Sequence, residues 1–227
     1  MDCASCASAP EFSAPWYEVS YDAAMAVAAA RAHGKTVIYM PPMFNLMDAD
    51  WPYGFCTLRE QRYVNFAPVT RGAMGIHGWR LNRCSAEYRR EVIYPAMKEL
   101  SSLSDFFLGE WLDDQVRSNH DSASVDYLRK FRTRVRLIAG EEDGELSQET
   151  DMVPDVSYCL RKRADGKHLL LVVNNRREAL PSVDFTLSVS PLPTTLVDAI
   201  DGHKVQVVPN GTFSDQFEPF DVHAYLW

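Results

Sequence analysis

Three Asx-Gly dipeptides in the second half of the chain constrain its fold most strongly. Asp165-Gly166, Asp201-Gly202 and Asn210-Gly211 each lie between short segments rich in β-branched, aromatic and other apolar residues. Such dipeptides favour tight hairpin turns, because both residues tolerate a positive φ. The sequence therefore predicts a small antiparallel β-sandwich over residues 154–227. Its predicted strands are VSYCLRKR, HLLLVVNN, VDFTLSV, TTLVDAI, KVQVV, TFSD and VHAYLW.

The first half alternates helical and strand patterns. The alanine-rich segment Asp22–His33 predicts a helix that stops at Gly34. The continuous apolar run Lys35–Phe44 predicts a strand that is buried on both faces, as in parallel sheets. Strands that alternate with helices in this way indicate a parallel sheet covered by helices.

Two further helix starts and a second strand continue this alternation. Thr57 and Glu60 have the spacing of a capping box, which predicts a helix to about Thr70. The glycine-interrupted segment Ala73–Asn82 predicts the next strand. Ser85 is a suitable N-cap, and the apolar stripe that follows it predicts a long helix from Ala86 to about Leu103, which Pro95 should bend.

Composition narrows the classes of partner. The net charge is −8, and the acidic excess lies mainly in the second half, so nucleic-acid binding is not expected. No apolar run is long enough for a membrane span. The N-terminal segment lacks the basic and apolar regions of a secretory signal, so a cytoplasmic location is expected unless the chain is a fragment of a secreted protein.

Cysteines and histidines do not predict a metal or cofactor. Cys3 and Cys6 have C-x-x-C spacing, but no second pair follows them. The six histidines are scattered along the chain rather than set at metal-ligand spacing. The sequence therefore predicts no metal site and no cofactor.

The long loops after the two predicted strands carry the candidate binding residues. In α/β folds, ligands bind at the carboxyl ends of the strands. Trp79 could stack on a sugar ring or plug the sheet end, and Asn82 could bind a hydroxyl or cap the turn. Trp51 and Tyr53 could form a sugar platform or a lid over the core. The candidates are Met43, Asn45, Trp51, Tyr53, Trp79 and Asn82.

Several segments resemble a known enzyme family. "GKTVIYMPPMF", "TLREQRYVNFAPVTRGAMGIHGWRLN" and "YPAMKELSSLSDFFLG" resemble the last two strand–helix units of a retaining (β/α)8-barrel glycoside hydrolase of the β-galactosidase-like type. "RKRADGKHLLLVVNN" and "GTFSDQFEPFDVHAYLW" resemble parts of the C-terminal β-sandwich of these enzymes. The resemblance covers about residues 34–110 and 156–227.

This resemblance implies a fold class of α/β plus all-β, with a partial (β/α)8 barrel followed by a small antiparallel β-sandwich. The expected divisions are a disordered leader over 1–15, the partial barrel over 16–110, a connecting region over 111–153 and the sandwich over 154–227. A complete barrel takes roughly 250 residues. The chain is therefore expected to associate with itself or with a missing N-terminal barrel portion.

The resemblance also bears on catalysis, because retaining hydrolysis needs two carboxyl groups roughly 5 Å apart. The position of the family's nucleophile falls in residues 39–45, which hold no carboxylate. Asp48 and Asp50 are the remaining candidates, and each is equally compatible with a solvated loop. The expected function is a C-terminal fragment of a glycoside hydrolase-like protein that acts on carbohydrate but is not catalytic by itself. The alternatives are a non-catalytic carbohydrate-binding or assembly module, and a new small α/β fold.

Overall fold

The computed structural model describes residues 18–41, 56–78, 81, 84–120 and 154–227. These described residues contain five α-helices, which we number in chain order. None of the described helices is both long and apolar enough to cross a membrane. The helices are α1 (Glu18–Ala32), α2 (Leu58–Thr70), α3 (Ala86–Tyr88), α4 (Tyr94–Ser102) and α5 (Ser104–Phe107).

The capping box predicted at the start of α2 is confirmed. The Thr57 hydroxyl accepts a hydrogen bond from the Glu60 backbone N–H at 3.2 Å, and the Thr57 backbone N–H donates to the Glu60 carboxylate at 2.7 Å. These two bonds satisfy backbone donors that the first turn of a helix otherwise leaves unpaired. The helix ends at Thr70, two residues after Pro68.

The long helix predicted after Ser85 is interrupted by a π-helical turn. The chain runs from α3 through the π-helical residues Arg89–Ile93 into α4. The Tyr94 backbone N–H donates to the carbonyl of Arg89, five residues back. Pro95 follows and has no N–H to donate, so the wider turn falls where the regular hydrogen-bond ladder must break.

Two short strands form the parallel pair that the alternating pattern predicted. Ile38 pairs with Gly75 and Tyr39 with Ile76, between β1 (Ile38–Tyr39) and β2 (Gly75–Ile76). Both strands are much shorter than the predicted segments. The expectation that the first strand is buried on both faces is wrong for Ile38, which is 68% exposed, because no further described strand or helix covers this side.

The remaining described strands form two antiparallel sheets. These strands are β3 (Glu110–Trp111), β4 (Val116–Ser118), β5 (Val156–Lys162), β6 (His168–Asn174), β7 (Leu180–Leu187), β8 (Thr195–Asp198), β9 (Lys204–Gln206), β10 (Thr212–Phe217) and β11 (Val222–Leu226). One sheet has six strands in the order β3-β5-β6-β11-β8-β9, and the other has three strands in the order β10-β7-β4. Strands β3 and β4 precede residue 154 and pair with β5 and β7.

The three Asx-Gly dipeptides form turns, but only two of them form hairpins within one sheet. The turns at Gly166 and Gly202, both with positive φ, join β5 to β6 and β8 to β9. The turn at Gly211 joins β9 to β10, which belong to different sheets. The tight turn predicted at Asn210-Gly211 is present, because the Gly211 backbone N–H donates to the carbonyl of Val208 at 2.8 Å and the Val208 N–H donates to the carbonyl of Thr212 at 2.9 Å. The strands on either side of this turn nevertheless lie in different sheets, so the chain crosses from one sheet to the other there.

Strand β6 is buried along its whole length. On one face, Leu170 and Val172 join the core between the two antiparallel sheets. On the other face, Leu169 and Leu171 join a second core with the helices, including Tyr63 of α2. Successive side chains of a strand point to opposite faces, so a strand with both faces covered is apolar at every position.

Candidate functional site

All of the candidate residues from the sequence lie outside the described residues, so their contacts stay predictions. These residues are Met43, Asn45, Asp48, Asp50, Trp51, Tyr53, Trp79 and Asn82. The structure does describe the points where the chain enters the two segments that carry them. These entry points decide whether the two segments leave the sheet at the same place.

Both segments begin at one edge of the parallel pair. Residues Met40 and Pro41 follow β1, and His77 and Gly78 follow β2. The two chains are still paired here, because the His77 backbone N–H donates to the carbonyl of Tyr39 at 2.9 Å. We call these four residues the strand-end edge. None of the four carries a carboxylate, so a catalytic pair at this edge would have to come from other residues.

A cavity of about 300 Å³ lies at the opposite end of the two strands. Its wall includes Lys35 and Val37 before β1, and Gly72 and Met74 before β2. The Trp111 ring lies beside it, with the guanidinium carbon of Arg31 at 4.6 Å from the ring centroid. This cavity is at the amino ends of the strands, away from the edge where α/β folds place their sites.

Gly72 lines this cavity in a backbone conformation that favours glycine. Its φ is +103°, which side-chain-bearing residues rarely adopt, and an added Cβ would lie 2.8 Å from Nη2 of Arg31. The second guanidinium on Trp111 comes from Arg161, whose carbon lies 3.7 Å from the ring centroid. No sequence pattern indicates that Trp111 lies between two arginines, because Arg31, Trp111 and Arg161 come from distant segments.

A second polar site lies within the six-stranded sheet and beside β10. We call Asp198, His203, Asp215 and His223 the Asp/His cluster. Nε2 of His203 lies 2.7 Å from Oδ2 of Asp215, and Nδ1 of His223 lies 3.3 Å from the same oxygen. The two imidazole rings are 4.9 Å apart between centroids, in an edge-to-face arrangement. His203 and His223 are twenty residues apart in sequence, and pairing of β8 with β11 brings them together.

The electrostatics of this cluster follow from burial and pairing. Burial lowers the pKa of His223, but hydrogen bonds to Asp215 and Asp221 outweigh it and raise the pKa to about 9. Burial opposes ionisation of Asp215, but hydrogen bonds from His223, Tyr225 and His203 hold its pKa well below the usual range. Asp198 differs, because burial is the dominant influence and raises its pKa.

Three members of the cluster have the geometry of metal ligands. Asp198, His203 and His223 each offer one ligand atom, and these atoms all lie within 4.8 Å of one another. His203 and His223 are twenty residues apart in the sequence, so their spacing did not indicate a metal site. The available signals were the Asp201-Gly202 turn just before His203, and the alternation that puts His223 and Tyr225 on one face of a strand.

Comparison with known proteins gives matches among solved structures. No protein-family model matches the chain, and no curated protein is significantly similar to it. A protein assigned as an α-N-acetylgalactosaminidase from Bacillus halodurans C-125 is 12% identical with a TM-score of 0.51, and the match covers 92% of this chain and 42% of that one. An α-amylase from Geobacillus thermoleovorans, complexed with acarbose, is 11% identical with a TM-score of 0.51, covering 93% and 46%.

A third solved structure has a weaker likeness. It is a β-L-arabinopyranosidase from Geobacillus stearothermophilus, 11% identical with a TM-score of 0.49, and the match covers 92% of this chain and 41% of that one. The chain spans less than half the length of each of the three proteins. At these identities the likeness shows fold alone. The chain therefore shares its fold with part of glycoside hydrolases that have a TIM barrel.

Proposed function

We propose that this chain is the C-terminal part of a (β/α)8-barrel glycoside hydrolase-like protein that acts on carbohydrate, and that it is not catalytic by itself. The β-galactosidase-like type suggested by the sequence is part of this proposal. The observation that carries it is the parallel pair β1-β2, from whose strand-end edge both candidate segments depart. In barrel enzymes, the loops after neighbouring strands line the sugar site.

The side of β1 that bears Ile38 and Met40 supports the proposal of missing barrel strands. Ile38 is 68% exposed and Met40 is 54% exposed. Side chains two positions apart on a strand point to the same face, so these two form one apolar surface. Parallel strands are normally covered on both faces. The proposed occupant of this surface is the remaining strand–helix units of a barrel, and a second copy of the chain is the alternative.

We propose that the chain is not catalytic because we find no suitable pair of carboxylates at the strand-end edge. Hydrolysis with retention needs two of them roughly 5 Å apart, and inversion needs two at somewhat larger separation. The four residues of the strand-end edge supply none. Asp48 and Asp50 come from one segment, after one strand, whereas barrel glycosidases take their carboxylates from different strand ends.

Two assays on the purified chain test this proposal. The first is hydrolysis of 4-nitrophenyl galactosides, glucosides and N-acetylgalactosaminides, for which we expect no turnover above background. Turnover that disappears in Asp48→Asn or Asp50→Asn would show that the chain is an enzyme. The second is calorimetric titration with galactose, N-acetylgalactosamine and maltotriose. Absence of binding to all three sugars would contradict the carbohydrate role.

The binding assay also locates the site. We expect Trp79→Ala and Trp51→Ala each to weaken binding at least tenfold, a loss of about 1.4 kcal/mol. Trp111→Phe is the matched control, because Trp111 lies beside the cavity at the amino ends of the strands. Equal weakening by all three variants would refute a site at the strand-end edge. Binding without turnover would favour the carbohydrate-binding module.

The apolar surface on β1 is tested separately by light scattering coupled to gel filtration. If Ile38 and Met40 form the contact between copies, Ile38→Lys will shift the chain toward monomer. Leu108→Lys is the control, since Leu108 is 76% exposed and lies after α5. If the chain is a monomer and does not bind an added N-terminal barrel fragment either, the proposal that barrel units cover this surface is contradicted.

A further inference from the structure

The buried carboxylate of Asp198 has one oxygen that the fold leaves unpaired. Its side chain is 1% exposed. Oδ1 accepts hydrogen bonds from the backbone N–H groups of Ile200 at 2.9 Å and Ala224 at 3.0 Å. Oδ2 has no hydrogen-bond partner among the residues that the structure describes. Burying such an oxygen without a partner is costly, so a positive charge placed beside it would stabilise the fold.

Two imidazoles converge on this oxygen. Nδ1 of His203 lies 3.5 Å from Oδ2 of Asp198, which is too far for a hydrogen bond. A ligand atom of His223 lies within 4.8 Å of both groups. A cation placed among the three atoms could contact all of them, and metal–nitrogen and metal–oxygen bonds of roughly 2.0–2.2 Å would draw them slightly inward.

Strand pairing and one hairpin turn hold Asp198, His203 and His223 in position. Asp198 ends β8 and pairs with Tyr225 of β11, two residues after His223. The turn at Gly202, where φ is +83°, returns the chain so that the Asp198 backbone N–H donates to the carbonyl of His203 at 2.9 Å. The ligands thus come from two paired strands and the hairpin turn that closes one of them. Such an arrangement is present as soon as the sheet forms.

Outer carboxylates complete the pattern of a metal site. Histidines that bind a metal through one ring nitrogen usually donate from the other to a carboxylate. Nε2 of His203 lies 2.7 Å from Asp215, and Nε2 of His223 lies 3.4 Å from Asp221. Asp201 lies 2.7 Å from Nδ1 of His203 and is 60% exposed. A metal at Nδ1 of His203 would replace this last contact, and Asp201 could then bind the metal as a fourth ligand. A metal at Nδ1 of His223 would likewise replace the contact of that nitrogen with the Tyr225 hydroxyl, which is 2.8 Å long.

We propose that Asp198, His203 and His223 form a Zn²⁺ site with two imidazole nitrogens and one carboxylate oxygen. Zn²⁺ favours such nitrogen and oxygen ligands in tetrahedral geometry, whereas Ca²⁺ and Mg²⁺ favour oxygen alone. Asp198 and His223 are more than nine-tenths buried, but His203 is 31% exposed and gives the ion a way in. The site ties β8, its hairpin turn and β11 together, so its role is structural. It does not depend on the proposed carbohydrate function.

The test uses untagged protein in which Cys3 and Cys6 are changed to serine, because a C-x-x-C pair can bind zinc by itself. After treatment with a chelator, calorimetric titration with Zn²⁺ should show one equivalent bound. Co²⁺ should give the visible absorption of a tetrahedral site. Zn²⁺ should also raise the thermal midpoint of the chain. No binding of either ion would overturn the proposal.

Ligand variants separate this site from other zinc-binding groups. His203→Gln changes a partly exposed turn residue, so the chain should fold, and we expect it to weaken Zn²⁺ binding at least tenfold. Asp198→Asn keeps the two backbone contacts through its amide oxygen, so the chain should fold. We expect this variant also to weaken Zn²⁺ binding at least tenfold. His33→Gln, which changes an exposed histidine outside the cluster, should leave binding unchanged. Unchanged affinity in both His203→Gln and Asp198→Asn would refute the assignment.

Discussion

Removing the carboxylate of Asp113 should destabilise the chain by leaving a buried guanidinium without its counter-charge. Arg161 of β5 has a side chain that is 2% exposed, and its Nη1 donates to Oδ1 of Asp113 and to the carbonyl of Leu160. The same Asp113 oxygen accepts the backbone N–H of Leu160 at 2.8 Å. In Asp113→Ala, Arg161 keeps the Leu160 carbonyl and the face of Trp111, but loses the only acidic partner that the described residues give it.

The magnitude follows from burial of one partner and exposure of the other. Breaking a fully buried ion pair costs about 3–5 kcal/mol. Asp113 is 41% exposed, so water reaches the vacated position, and we take the lower end, about 3 kcal/mol. For a chain of this size the thermal midpoint should then fall by about 6–12 °C, at 2–4 °C per kcal/mol.

Urea unfolding followed by circular dichroism measures this loss as a shift of the midpoint at constant slope. Asp114→Ala is the matched control, since it removes the same charge from an exposed neighbour for which the structure shows no ion pair among the described residues. Arg161→Met combined with Asp113→Ala should cost less than Asp113→Ala alone, because the buried charge is then gone. Equal stability of Asp113→Ala and Asp114→Ala would refute the reasoning.

Three further predictions concern packing, close approach and pH. Leu171→Ala should cost about 2–5 kcal/mol in urea unfolding, because Leu171 is fully buried, whereas Val197→Ala, at a site 37% exposed, should cost less than about 0.5 kcal/mol. Gly109→Ala should destabilise the chain by about 1–3 kcal/mol, because an added Cβ would lie 2.3 Å from the carbonyl oxygen of Lys162. Burial lowers the pKa of His168. Stability should therefore be fully present above about pH 6.5 and decline as the pH falls through the lower folded-state value, and His168→Gln should flatten this decline.

Each of these three has a clear contradicting result. A Leu171→Ala variant as stable as Val197→Ala would mean that the helices do not pack on β6. Gly75→Ala is the control for Gly109→Ala, since its added Cβ meets nothing closer than 3.8 Å, and equal losses would remove the steric explanation. The ring of His168 stacks on Trp227 at 5.0 Å between centroids, so tryptophan fluorescence should follow its titration. A raised titration midpoint would contradict the burial effect.

Local signals predicted local structure well. The capping box at Thr57 and the N-cap at Ser85 are both present, since such contacts involve residues three apart in sequence. The parallel pairing of β1 with β2 also followed from the order of helices and strands. The length of these strands could not be predicted, because strand ends depend on neighbouring strands rather than on the apolar run alone.

Contacts between distant segments could not be predicted. Arg161 looks like an ordinary surface residue of a strand, and its burial arises because Trp111 and Asp113 lie across it in β3 and the turn that follows. The Asp/His cluster arises in the same way, from pairing of β8 with β11. The crossing between sheets at Asn210-Gly211 could not be predicted either. The same dipeptide occurs in turns that join paired strands and in turns that join two different sheets.

Strand β6 determines how this chain could be divided or transplanted. A segment of residues 154–227 alone would keep strands β5 to β11. It would expose Leu169, Leu171 and Val173 to solvent, because these residues pack against α2 and its neighbours in the whole chain. We expect such a segment to aggregate through this exposed apolar face. A segment that retains α2 would keep the face buried. The smallest segment expected to fold by itself therefore contains the two antiparallel sheets and the helix that packs on β6, and a protein that received only the sheets would have to supply an equivalent helix.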